Sequence, residues 1–279
     1  YDYMKLFNFY RGLYGGEKLQ NHALNSRVNC EFRNKIQDAE KDLIITNNGK
    51  YLIHVDYLYF GKIDISRLCC EIIEKYIGLL REKDANLLDV LTELENICDY
   101  DVKKNKISQL LSEEAEARVF EIISYAILKN HYKNEFVYFG YSAETINRVP
   151  LELYKTGRTN ANDGGIDFVM RPIGRFFQVT EVHDYGKYLL DIDKVMHFPV
   201  SFVVKTKNNK GNIENDINSY VENRSGGMRV LKERYKKAIE EIITINELQD
   251  WIDQLSDSDV DNIVKDIGLY YRLEMNIEE

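Results

Sequence analysis

The rhythm of apolar and polar positions changes several times along the chain, and each change marks an element. Ile65, Leu68, Cys69, Ile72, Ile73, Tyr76, Leu79 and Leu80 recur at helical spacing and predict a helix over 64–80, capped by Asp64 or Ser66. Leu88, Val90, Leu91, Leu94 and Ile97 carry a similar spacing over 87–98. Ahead of them, 43–46 and 51–59 read as strands around Asn47-Asn48-Gly49, a hairpin turn, with His54 packed in the second strand. Ser112 predicts the start of another helix, because Glu113, Glu114 and Glu116 lie in a first turn where the helix dipole favours acids. Val119, Phe120, Ile122, Ile123, Ala126, Ile127 and Leu128 then bury most of that helix, and Asn130-His131 ends it.

Strands dominate the next stretch. Residues 136–141 predict the first strand of a core, and 166–170 and 176–182 predict two more around the turn Arg171-Pro172-Ile173-Gly174-Arg175. Tyr185-Gly186-Lys187 breaks the last of these, and 199–205 reads as a further buried strand. The remainder predicts helices: 213–220, then 230–255 on Leu231, Tyr235, Ala238, Ile239, Ile242 and Ile243, with an interruption at Asn246. Leu248, Trp251, Ile252 and Leu255 form a second short stripe, and 260–275 packs back on the core or pairs with another copy. Helix, strand, polar loop, strand, turn, strand is the grammar of an α/β sandwich with a mixed sheet. It places the core in 106–279, after a mainly helical accessory region over 1–105 that is a candidate for DNA recognition.

Composition narrows the class. With 279 residues, 44% of them hydrophobic, the chain can build a real core, and three prolines and no apolar run near 18 residues leave neither a flexible linker nor a membrane span. It starts at Tyr1 rather than methionine, which suggests that a few residues precede it, and no basic-then-apolar signal segment follows. Cys30, Cys69, Cys70 and Cys98 form no C-x-x-C pair or zinc spacing, so reduced, buried thiols of a cytoplasmic protein are expected. A net charge of −9 excludes a surface uniformly built for nucleic acid, but the charge is unevenly spread. Lys205, Lys207, Lys210, Arg224, Arg229, Lys232, Arg234, Lys236 and Lys237 outnumber the acids around them, and Lys155, Arg158, Arg171 and Arg175 add to this near 155–182. Ser225-Gly226-Gly227 among those bases admits either close backbone approach to phosphate or a simple flexible turn. Asn and Arg residues in the first forty positions suit base and phosphate contacts or an ordinary polar surface.

The stretch 155–182 carries most of the chemical signal. Strand alternation sends Gln178 and Thr180 to one face and Phe177, Val179 and Glu181 to the other. The glycine pair Gly164-Gly165 lets the chain turn ahead of Asp167, so Asp167 and Gln178 can meet across the hairpin as oxygen ligands.

The run Asp163-Gly164-Gly165-Ile166-Asp167-Phe168, followed by Phe176-Phe177-Gln178-Val179-Thr180, resembles the core of the restriction-endonuclease-like nucleases, the PD-(D/E)xK superfamily, and above all its Mrr-type branch. The resemblance spans about residues 112–205. It implies a restriction-endonuclease-like α/β core with a mixed central sheet flanked by helices, and a type II restriction endonuclease that cuts double-stranded DNA with Mg²⁺, as a homodimer on a symmetric site. By that resemblance Asp167 is the metal-binding aspartate, and Gln178 takes the slot in which other members carry Glu. Thr180 falls where the family's lysine stands, which is the main departure. Glu121 is the candidate for the acid that the family's preceding helix often adds, with Glu116 second; Glu181 and the Val179 carbonyl are further candidate ligands. Lys187 or Lys205 would replace the lysine. Lys155, Arg158, Asn160, Arg171, Arg175, Lys205, Lys207, Lys210, Arg224 and Arg229 would contact DNA.

Two other readings compete: a nuclease-like DNA-binding module without catalysis, and an interaction or structural protein with an accidental acidic hairpin. The sequence holds no G-x-x-x-x-G-K-[ST], no H-E-x-x-H and no G-x-S-x-G, so it offers little to other enzyme classes.

Overall fold

The computed structural model describes residues 3–12, 24–36, 39–156, 166–181 and 184–275. It divides into two compact units, Tyr1–Ala85 and Asn86–Glu279.

The first unit holds α1 (Tyr3–Arg11), α2 (Leu24–Lys35) and the hairpin of β1 (Ile44–Asn47) and β2 (Lys50–Ile53). Asn48 and Gly49 both take positive φ, 49° and 72°, the backbone that a tight two-residue hairpin turn demands. Asn29 ties α2 to β1: its Nδ2 donates to Ile44 O and its Oδ1 accepts from Ile44 N, each at 2.8 Å. The predicted second strand stops early. His54 Nδ1 accepts from Asp56 N at 3.2 Å and caps a 3-10 turn, so the histidine ends the strand instead of packing within it. A short pair, β3 (Tyr59–Phe60) and β4 (Ile63–Asp64), leads into α3 (Ser66–Asn96). Asp64 Oδ1 accepts from Ser66 N at 2.8 Å, as a start signal should. The two helices expected over 64–80 and 87–98 are one element, since no Gly-Pro or strong cap separates them.

The second unit is a mixed α/β layer structure. After α4 (Tyr100–Leu110) come α5 (Ala117–Tyr132), β5 (Phe136–Phe139), β6 (Asn147–Pro150), β7 (Glu152–Lys155), β8 (Phe168–Arg171) and β9 (Arg175–Thr180). Then follow α6 (Tyr185–Lys194), β10 (Val200–Val204), α7 (Lys210–Arg224), α8 (Arg229–Ala238), β11 (Ile239–Thr244), α9 (Ile245–Asp253) and α10 (Asp257–Met275). Five strands form one sheet in the order β11-β10-β9-β8-β7, with β9, β10 and β11 parallel and β8 antiparallel to both neighbours. Alternation sorts the core. Leu153, Phe168, Met170, Phe177, Val203 and Ile243 pack with α5, α9 and α10, while Phe202, Val204 and Ile242 pack with α6, α7 and α8.

Several expectations are corrected. Residues 136–141 do not open the central sheet: β5 pairs only with β6, and Phe136, Tyr138 and Phe139 are exposed, so β7 is the first core strand. Helix α5 starts at Ala117, because 112–116 forms turns and Glu116 makes no side-chain cap. Tyr185 begins a helix whose N-cap is Asp184, Oδ1 accepting from Gly186 N at 3.0 Å. The β-branched run Ile239-Glu240-Glu241-Ile242-Ile243-Thr244 forms strand β11 inside the stretch that helical spacing assigned to one helix. The segment 260–275 packs on α5 through Val260, Ile263, Val264 and Ile267. The cysteines are free, as expected, but exposed.

His131, near the end of α5, stacks on Trp251 of α9 with ring centroids 3.8 Å apart and planes 15° apart. Desolvation lowers its pKa from 6.5, so the folded state resists protonation more than the unfolded chain. The stability this contributes is complete above the unfolded value and is lost as pH falls through the folded one. Trp251 is the chain's single tryptophan. Its fluorescence is expected to be quenched on acidification with a midpoint below 6.5, and His131→Phe should remove that step.

Candidate functional site

Ligands of open α/β sheets gather beyond the carboxyl ends of the parallel strands. Here that end is formed by the close of β9, β10 and β11 together with the end of β7 and the start of β8. Asp167 enters β8 there. Its backbone is held on both sides, Thr156 N donating to Asp167 O and Asp167 N to Phe177 O, each at 3.0 Å. Its Oδ2 accepts from Val179 N at 2.6 Å, so the carboxylate completes a ladder position as well as facing the strand end.

Gln178 engages the same residue. Its Nε2 donates to Val179 O at 3.2 Å, while its Oε1 is buried and finds no donor among the described residues. The two expected oxygen ligands therefore converge on the main chain of Val179. Thr180 is buried on the α6 side beside Tyr188, and its Oγ1 also lacks a hydrogen-bond partner among the described residues. Burial raises the pKa of the Tyr188 hydroxyl, opposed by the neighbouring Thr180 side chain, so Tyr188 stays protonated. The expected alternation holds, Phe177 and Val179 packing on the α5 side with Gln178 and Thr180 on the other, and Gln178 and Thr180 are buried as well, because helices cover both sides of the sheet.

Glu121 does face the sheet from α5, but it is occupied. Lys155 Nζ donates to Glu121 Oε1 at 2.7 Å, with side chains 9% and 8% exposed. Lys155, expected on a DNA-facing surface, is thus half of a buried ion pair. The rhythm Leu151-Leu153-Lys155 holds the missed signal, since two buried leucines at period 2 put the lysine on the core face. Register sets Lys155 opposite Phe168, and Thr156 opposite Asp167, so the pair lies one residue from Asp167 along the sheet and on its opposite face.

Lys205, at the same end, is also balanced. Lys205 Nζ pairs with Glu181 and donates to Ala115 O at 3.0 Å. Glu113 Oε1 accepts from Thr206 Oγ1 and Lys207 N, each at 2.9 Å, which docks the segment before α5 against the end of β10. Glu113 was legible only as a first-turn acid. Lys187 is exposed on α6.

Arg171 and Arg175 stand at the turn end of the hairpin, a strand length from Asp167, so neither joins it. Arg171 is exposed and lies over the Tyr154 ring at 5.8 Å, whereas Arg175 is bound to Glu241 and to Ser201 Oγ at 2.9 Å. Lys207 and Arg224 are exposed, Arg229 pairs with Glu233 at 2.9 Å, and Lys210 lies 3.9 Å from Glu241. Arg158, Asn160 and the Asp163-Gly164-Gly165 run lie outside the described residues. Among the described residues no three His, Cys, Asp or Glu side chains come together to hold a metal ion.

Compared with protein-family models, curated proteins and solved structures, the chain has no match.

Proposed function

We propose that this chain is a metal-dependent endonuclease with a restriction-endonuclease-like core, hydrolysing phosphodiester bonds of double-stranded DNA in the cytoplasm, in restriction of foreign DNA. The observation that carries the reading is the convergence of Asp167 and Gln178 on Val179 at the ligand-binding end of the sheet, with Gln178 Oε1 buried and without a donor. The arrangement of α5 ahead of the antiparallel run β7-β8-β9 supports the same reading.

An orphaned amide oxygen beside a carboxylate fits a hard cation, which takes oxygen ligands and, for Mg²⁺, keeps several waters. Asp167 and Gln178 would hold the ion; Glu121 and Glu181, each bound to a lysine, would not. Bound Mg²⁺ lowers the pKa of its water and stabilises charge on the phosphoryl oxygens. Asp167 supplies the negative charge for it, and the Val179 N–H fixes one carboxylate oxygen in place. Thr180 offers no cation, and Lys205 is committed to Glu181 and Ala115. Lys155 does not replace the missing lysine either: it is held by Glu121 on the α5 face with Phe168, while Asp167, the adjacent residue of the strand, faces the other side of the sheet.

A second reading, a DNA-binding module without catalysis, is favoured by the buried Thr180 and by the engagement of Glu121 with Lys155. Incubation with unmethylated plasmid and phage DNA separates the two. Discrete fragments that appear with Mg²⁺ and vanish with EDTA are expected; duplex binding without any cut would sink the nuclease reading and leave the second.

A further inference from the structure

Helix α3 presents an apolar stripe that nothing among the described residues of its unit, Tyr1–Ala85, covers. Leu68, Ile72, Ile73, Tyr76 and Leu79 recur at three- and four-residue steps, yet are 55%, 58%, 55%, 61% and 56% exposed. Around them the polar side is exposed as well, from Arg67 to Tyr76, so this part of α3 gains little packing from the described residues of its unit. A helix in water without a buried face is marginal, so its stability calls for a partner on the stripe. Gly78 borders the stripe, and a Cβ there would meet nothing within 4 Å, which leaves room for a second helix to approach closely.

We propose that the Leu68–Leu79 stripe is a two-fold contact in which α3 packs antiparallel on α3 of a second copy of this chain. Area favours it: the five side chains expose roughly 500 Å² of apolar surface, and the exposed Phe60 and Ile63 just ahead of α3 bring the total near the ~800 Å² per partner of a stable interface. Charge selects the partner. Arg67, Glu71, Glu74, Lys75, Arg81 and Glu82 make this segment neutral in a chain of net charge −9, so two copies meet here without repulsion. Glu71 and Lys75, one turn apart, border the same side of the stripe. In an antiparallel pair that side meets its own counterpart, so Glu71 of each copy lies against Lys75 of the other. The contact stands whether or not the chain cuts DNA.

Sedimentation equilibrium on the full chain tests it. The wild type is expected to be dimeric at micromolar concentration, and Ile72→Glu to weaken association at least 100-fold. Glu71→Lys and Lys75→Glu should each weaken the dimer, because each sets like charges together. An equimolar mixture of these two variants should restore it, since every cross-copy pair is then opposite in charge, an outcome that no effect within one helix can give. A monomeric wild type, or an Ile72→Glu variant that still dimerises, overturns the contact. A mixture that associates no better than its components overturns the antiparallel pairing.

Discussion

Asp167→Asn is expected to reduce Mg²⁺-dependent DNA cleavage by at least about 100-fold, equivalent to about 2.7 kcal/mol of lost transition-state stabilisation. Asparagine keeps an oxygen that can accept from Val179 N, so the ladder position at the start of β8 survives and the melting temperature should hold. What goes is the charge that would bind the ion, and with it the activation of water. Raising Mg²⁺ should recover part of the rate if the loss lies in metal affinity. A variant that cuts like the wild type would remove Asp167 from the site and with it the main support for a nuclease. Measuring cleavage beside thermal unfolding keeps a folding defect from passing as a catalytic one.

The hairpin that carries Asp167 was legible because its signals are local. A glycine pair, an alternating strand, a Pro-Ile-Gly turn and a second alternating strand need no tertiary information, and β8 and β9 lie where they were expected to within two residues. Partners were not legible. Nothing between Glu121 and Lys155 in the sequence says that they meet, since the contact depends on α5 lying across β7. The same holds for Glu181 with Lys205, so two of the apparent DNA-contacting lysines, Lys155 and Lys205, are occupied by carboxylates.

Misread elements failed for one physical reason: periodicity cannot separate a short buried strand from a helix turn. Ile239, Ile242 and Ile243 suit i, i+3, i+4 spacing, but the run sits beside β10 and is drawn into the sheet. Conversely, β5 has every local mark of a core strand, yet among the described residues it pairs with β6 and leaves Phe136 and Tyr138 exposed. The stripe on α3 was legible as a pattern; its exposure was not, since a sequence does not say whether an apolar face is buried.

Glu121→Ala should destabilise the second unit by about 3–5 kcal/mol, since removing one member of a buried ion pair strands the other charge. For a unit of this size that lowers the melting temperature on the order of 10 °C. Replacing both members with apolar residues of similar size, Glu121→Leu with Lys155→Met, should be about neutral or stabilising, because the desolvation of two charges is no longer required. Leu153 and Phe168 already line that face of the sheet and offer apolar contacts to the new side chains. Stability and activity then separate. Because Lys155 lies on the α5 face and Asp167 on the other, the double variant is expected to fold as well as the wild type, bind duplex DNA and cut at the wild-type rate. Cleavage at least about 100-fold slower would instead tie the pair to the reaction. The cation that Thr180 does not supply has to come from a group other than this pair.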